Sequence, residues 1–330
     1  MAHELTTNQQ GMIEFAYLRA DGLPWHGLGQ PMEGGESLDM WQAKAGMDWR
    51  VLRSKVRYAT AADAPLIEMP DQHVLFRSDD KKPLGIVSEK YKVVQPKQMI
   101  GFFQDIAHAG GMELSAAGTI FGGRKFWATA KIGEASPTSV RDKIGGFILI
   151  SSSADGSTAT EVRRTTVRVV CSNTLAMAMA DAKASVRVSH KSVFDPDDVK
   201  QFMGLNEAAW LAFRHNIVKM ANVEVKKDHA EELTMILLGG DVSPDARVKV
   251  ASSVAFNKIL DLFGGEGKGS MLDGVHSTAW GWVNSVTEYL DHFSRARTNE
   301  NRFNAAQWGI AADTKNSALK MALDLANSAA

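Results

Sequence analysis

The sequence predicts an α+β protein: a curved antiparallel sheet of β-hairpins packed on helices, followed by a mainly helical C-terminal region. Three observations predict it. Apolar residues alternate with polar ones in short runs broken by turn residues between Trp49 and Cys171. Two hairpin signals, Gly122-Gly123 and Asp155-Gly156, sit between β-prone runs. Beyond Lys191 the apolar residues recur instead at helical spacing. The expected division is therefore a β-rich α+β domain with a basic hairpin sheet over 1–191 and a helical region over 192–330, the turn at Lys191 to Asp197 serving either as a boundary or as a surface turn inside one domain.

Taken in order, Met40, Ala43 and Met47 mark a first helix. Short strands follow at Val51–Arg53, Val56–Tyr58, His73–Arg77 and Leu84–Val87, with Arg77 to Pro83 reading as a hairpin loop. After Pro96 the spacing of Met99, Phe102, Phe103, Ile106 and Ala107 predicts a helix ended by Gly110-Gly111. A hairpin then runs from Met112 to Ile120 and back from Phe126 to Ile132. On its return strand Phe126, Ala128, Ala130 and Ile132 share one face, leaving Lys125, Trp127, Thr129 and Lys131 on the other.

The Pro137-Thr138-Ser139 linker leads to the central stretch, Gly145–Ile150, then Ala154-Asp155-Gly156-Ser157, then Thr160–Cys171. Alternation puts Val167, Val169 and Cys171 on a core face and Arg164, Thr166 and Arg168 on a basic one. Ser172-Asn173-Thr174 then reads as the cap of an Ala/Met-rich helix. From Thr160 to Lys191 six Lys or Arg (Arg163, Arg164, Arg168, Lys183, Arg187, Lys191) stand against Glu161 and Asp181, a local +4 in a chain of net charge −1. Such concentration suits a polyanion; a solvated sheet face with Arg paired to acids is the plain alternative.

Asp195-Pro196-Asp197-Asp198 opens a helix whose stripe runs through Trp210, Phe213, Ile217 and Met220. Asp228 begins another, and Ser243-Pro244-Asp245 a third that ends at Gly264-Gly265. The loop from Gly264 to Ser270 fails as a phosphate-binding loop, because Lys268 is followed by Gly269 and position 263 is Phe. On the helix from Thr278 to His292, Asn284, Glu288 and Asp291 or His292 adjoin on one face. Glu288 and His292 have ligand or acid–base chemistry, with His26 a distant third candidate, yet two ligands at that spacing are weak without a third, and a helix-surface or buried hydrogen-bond cluster is the favoured reading. The segment from Trp308 to Leu323 closes the chain as an amphipathic helix.

Cys171 is the one cysteine, which excludes an intrachain disulfide framework, fits a reducing compartment and reads as a buried, inert thiol. The opening Met1 to Asn8 is polar and no apolar run reaches bilayer-crossing length, so the expectation is a cytoplasmic protein with no membrane partner.

Trp25-His26-Gly27-Leu28-Gly29, Arg168-Val169-Val170-Cys171-Ser172-Asn173-Thr174-Leu175 and the stretch from Trp280 through Asn284, Glu288 and Asp291 to His292 together resemble the "phage/plasmid-like protein" family, a domain-of-unknown-function family carried by phages, prophages and plasmids. The resemblance implies a mobile-element protein in a bacterial cytosol. In layout alone, the middle section is similar to phage single-strand annealing proteins, in which a hairpin sheet on helices lines a basic groove and subunits form rings or filaments.

The expected function is accordingly single-stranded DNA binding and annealing by a homo-oligomer. Arg163, Arg164, Arg168, Arg187 and Lys191 would hold phosphates, Lys125 and Lys131 would extend the track, and Trp127 would stack a base. This work needs no cofactor, metal or catalytic residue. A protein-interaction module acting on a host or phage partner, and a metal-assisted enzyme using Glu288 and His292, are the alternatives.

Overall fold

A computed structural model describes residues 5–21, 28–109, 112–135, 138, 142–168, 173–176, 185–188, 206–298, 301–302, 305–306 and 309–329. The chain is α+β. Its strands are β1 (Phe15–Leu18), β2 (Gln30–Met32), β3 (Val51–Tyr58), β4 (Ile67–Arg77), β5 (Pro83–Ser88), β6 (Leu114–Ile120), β7 (Lys125–Ala135), β8 (Ile144–Ser153), β9 (Thr160–Arg168), β10 (Asn173–Ala176) and β11 (Ser185–Val188). Two helices lie among them, α1 (Leu38–Lys44) and α2 (Pro96–Ala109). The helical region holds α3 (Asn206–Ala221), α4 (Lys227–Leu237), α5 (Pro244–Ala251), α6 (Val254–Asp261), α7 (Ala279–Glu288) and α8 (Ile310–Ser328). No helix among the described residues is long and apolar enough to cross a membrane.

The larger sheet runs β10-β9-β8-β7-β6-β1-β2, with β11 pairing the half of β9 that β10 does not reach. It is antiparallel except where β1 meets β2. A separate three-stranded sheet, β3-β4-β5, is antiparallel throughout. One core packs Phe126, Ala128, Ala130, Ile148, Ile150 and Val162 of the large sheet against Ile100 and Phe103 of α2, and joins Val51, Leu75 and Leu84 of the small sheet to them. A second core gathers α3, α4, α7 and α8 around Trp282 and reaches the sheet at Ile144. Trp210 of α3 docks where β7 and β8 have no side chains: a Cβ on Gly133 or Gly146 would come within 2.8 or 2.7 Å of its indole. Glycine in a strand marks such close approach.

Several sequence expectations meet a different outcome. Asn173–Ala176 is strand β10, not the start of a helix, and pairs residue for residue with Thr165–Arg168; the β9 edge needs backbone partners more than the local cap signal favours a helix. The helix expected from Ser243 to Gly264 is two helices, because Ser253 restarts the chain by accepting the Phe256 N–H at 3.1 Å. The Asp155-Gly156 turn does join two strands, with Gly156 at φ +76°, although the full connection spans residues 154–159. β1 and β2 carried no sequence prediction, and β4 begins six residues before the expected His73, since Pro70 and a left-handed Asp71 (φ 57°) disguise its first half.

The two sheets are tied by a buried ionic cluster. Arg77, at the end of β4, donates Nη1 and Nη2 to the Glu14 carboxylate at 3.0 and 2.6 Å and Nε and Nη2 to Asp79 at 3.0 and 2.7 Å. Asp80 approaches Nε at 3.7 Å, the guanidinium lies 4.4 Å over the Trp49 ring, and Thr119 of β6 donates its hydroxyl to Glu14. Burial alone would lower the Arg77 pKa, but its carboxylates outweigh that and raise it. For Asp79 and Asp80, burial pushes upward, while hydrogen bonds from Arg77 and Lys82 respectively carry the balance below the usual carboxylate range.

Removing one member strands the other charges. Arg77→Ala is expected to cost about 3–5 kcal/mol in urea unfolding; a loss under 1 kcal/mol would contradict the clamp. Because Asp79 and Asp80 titrate lower folded than unfolded, the unfolded chain binds more protons below about pH 4, so their stabilisation is present above that range and lost as pH falls through the folded values. Asp80→Asn should flatten the acid limb of the stability–pH curve, and an unchanged limb would remove Asp80 from the account.

Candidate nucleic-acid interface

Residues paired directly across antiparallel strands share a face. On the face away from α2, Lys125, Trp127, Thr129 and Lys131 of β7 stand opposite Ser153, Ser151, Leu149 and Phe147 of β8, as alternation predicts for β7. Across β6, Trp127 is paired with Gly118, and Gly118 with Phe15 of β1. With no side chain on Gly118 between them, the Phe15 and Trp127 rings meet at 5.7 Å, and Phe15 stacks on Tyr17 at 6.0 Å. Trp127, Tyr17 and Phe147 are half-buried and Phe15 is buried. This aromatic floor is the feature of the face that the sequence reading missed; the signal available was the alternation of Phe15 with Tyr17 and of Phe147 with Leu149.

The cations are disposed differently from the expectation. Arg164 pairs with Ile148, which pairs with Ala130, so it lies on the helix-covered face and is 1% exposed. This reverses the predicted faces of β9. Val162, two residues earlier on the same side, sets the core face, and the Val167-Val169-Cys171 pattern misled. Burial lowers the Arg164 pKa. Lys125 is on the predicted face but is 7% exposed. Lys131 bonds Asp21 at 2.8 Å and Glu134 at 3.2 Å; burial lowers its pKa, and these acids more than restore it. Arg163, paired with Leu149, shares the aromatic face and is half-buried. The backbones of Arg168 and Arg187 lie in β9 and β11. Lys191, Trp25, His26 and Cys171 lie outside the described residues, and of Asn173 only the strand position is described.

The third motif forms α7, a helix buried along its whole length. Trp280 Nε1 reaches Asp142 at 3.4 Å, Trp282 Nε1 donates to Thr234 of α4 at 2.9 Å, and Asn284 Nδ2 donates to the Trp280 carbonyl at 2.8 Å. Glu288 accepts the Lys268 N–H at 3.0 Å and so holds the glycine-rich loop. Asp291, in the π turn Tyr289–Phe293 that continues α7, forms an ion pair with Lys315 of α8, both nearly sealed from solvent. Burial lowers the Lys315 pKa against the pull of Asp291, and nearby Arg163 adds to the lowering. Among the described residues no three His, Cys, Asp or Glu cluster as metal ligands. Gly281 is required because a Cβ there would fall 2.0 Å from the Val275 carbonyl oxygen.

The fold and site define an α+β protein whose wide sheet carries aromatic rings on the face away from α2 and whose helical half is built on one buried motif helix. Residues 83–308 match the family described as Domain of unknown function (DUF932), and the chain belongs to that family. The match takes in the second and third motifs but not Trp25-His26, β3 or β4. No curated protein and no solved structure matches the chain.

Gly281→Ala is expected to destabilise the protein by about 2–3 kcal/mol, the cost of overpacking against fixed backbone. Full stability in urea would show that the helix start has room the geometry denies.

Proposed function

We propose that the chain is a phage or plasmid protein that binds single-stranded DNA in the bacterial cytosol, as a homo-oligomer that favours strand annealing. The observation that carries the reading is the aromatic floor on one sheet face, where Trp127, Tyr17 and Phe147 are half-buried. Flat rings on a sheet stack bases without regard to sequence. Arg163 and Lys131 flank the floor and supply phosphate contacts, the latter by exchanging Asp21 or Glu134 for a phosphate oxygen. Lys125 and Arg164 have no part in it, because both are buried. Glu288, whose carboxylate is engaged by the Lys268 N–H, is better suited to holding a loop than to metal-assisted chemistry.

Fluorescence anisotropy of a labelled oligo(dT) across a salt series tests this reading. Wild-type protein should bind with an affinity that falls with salt. Trp127→Ala should weaken binding by about 1–3 kcal/mol, the range for one lost stacking contact, with its melting temperature monitored as a control. Absence of binding at low salt by folded protein would overturn the proposal.

A further inference from the structure

Among the described side chains, exposed positive charge gathers on the small sheet rather than on the large one. Residues 50–97 hold ten Lys or Arg against six Asp or Glu. Along β3, side chains of one face run from Val51, buried in the core, to Arg53, Lys55 and Arg57, all exposed, and exposed Tyr58 follows. Alternate residues of a strand are about 6.7 Å apart, a spacing comparable to that of successive phosphates along a nucleic-acid strand. Arg53 donates Nη2 to the Glu89 carbonyl at 2.9 Å and contacts His73 Nδ1 at 3.1 Å, which brings the exposed Lys90 beside the row. Lys55 has Glu68 as an exposed partner, and Arg57 has no ion pair among the described residues. Exposed ion pairs are weak, so they yield readily to a polyanion.

We propose that the β3–β4 ribbon is a second nucleic-acid site, in which Arg53, Lys55 and Arg57 grip the phosphate backbone of a single strand. The inference rests on the nucleic-acid reading above but on residues outside the aromatic floor. β3 is an edge strand, and three cations along it discourage the addition of another β-strand. A phosphate backbone therefore fits this edge better than a second copy of the chain does. The Arg77 cluster fixes the base of the ribbon to β6 through Glu14 and Thr119, so the row is held in a set direction relative to the large sheet.

The test uses the full chain and labelled oligo(dT) over a salt series, comparing wild type, the triple variant Arg53→Gln/Lys55→Gln/Arg57→Gln, Trp127→Ala, and Lys226→Gln/Lys227→Gln as a control for loss of exposed charge elsewhere. The triple variant should keep the wild-type melting temperature, lose at least tenfold in affinity at low salt and lower the salt slope by about 2. The control should stay near wild type. Wild-type affinity and slope in the triple variant overturn the ribbon site; if Trp127→Ala still weakens binding, the aromatic floor survives that failure. An equal loss in the control reduces the ribbon to bulk charge and also overturns it. No binding by wild type ends both readings, and ribbon-dependent capture of a purified acidic protein in place of oligo(dT) assigns the row to a protein partner.

Discussion

The helical half depends on one constraint: α7 is buried over all ten of its residues, so every polar group it carries needs a partner inside the protein. Ser285 and Thr287 meet this need within the helix, donating to the Trp282 and Asn284 carbonyls at 2.7 and 2.9 Å. The others reach outward. Trp282 ties α4, Glu288 ties the glycine-rich loop, and Asp291 ties α8 through Lys315. Trp280 reaches Asp142 just before β8, so the same helix that organises the C-terminal core also contacts the sheet. A run of polar residues with catalytic chemistry thus acts as a hydrogen-bonded axle, and its conformation fixes where the helices stand relative to β7 and β8.

The large sheet is correspondingly asymmetric. One face is sealed by α2 near Phe103 and by Trp210 over Gly133 and Gly146. The other carries rings brought together across Gly118, with several described cations matched by acids: Lys131 by Asp21 and Glu134, Lys143 by Glu134, Arg19 by Glu33. Among the described side chains, that face is aromatic more than basic. The small sheet complements it, contributing little aromatic surface but an exposed row of cations on a ribbon anchored at its base.

Much of this architecture was legible in the sequence because local signals and tertiary demands agree there. The Phe126-Ala128-Ala130 face, the glycine turn at Gly122-Gly123, and helix starts at Ser243-Pro244 and Thr278 are each dictated by neighbours a few residues away. The face of β9 was not legible: Arg164 shares its side with Val162 and Ile148, and only the pairing register reveals that a guanidinium lies inward. Asn173 carries a cap-forming side chain but pairs as strand, since the β9 edge is a long-range partner invisible to local reading. The Glu14–Arg77 pair joins residues 63 apart, and the cation row on β3 looked ordinary because two short apparent strands hid one continuous ribbon.

Hydrogen–deuterium exchange of the full chain, with and without saturating oligo(dT), tests the central claim most directly, because it reads the contact surface without altering any residue. The account predicts slowed exchange in Val51–Tyr58 and along Lys125–Ala135 and Ile144–Ser153, with α4 to α6 unchanged. Protection confined to the helical half, or none at saturation, would contradict it.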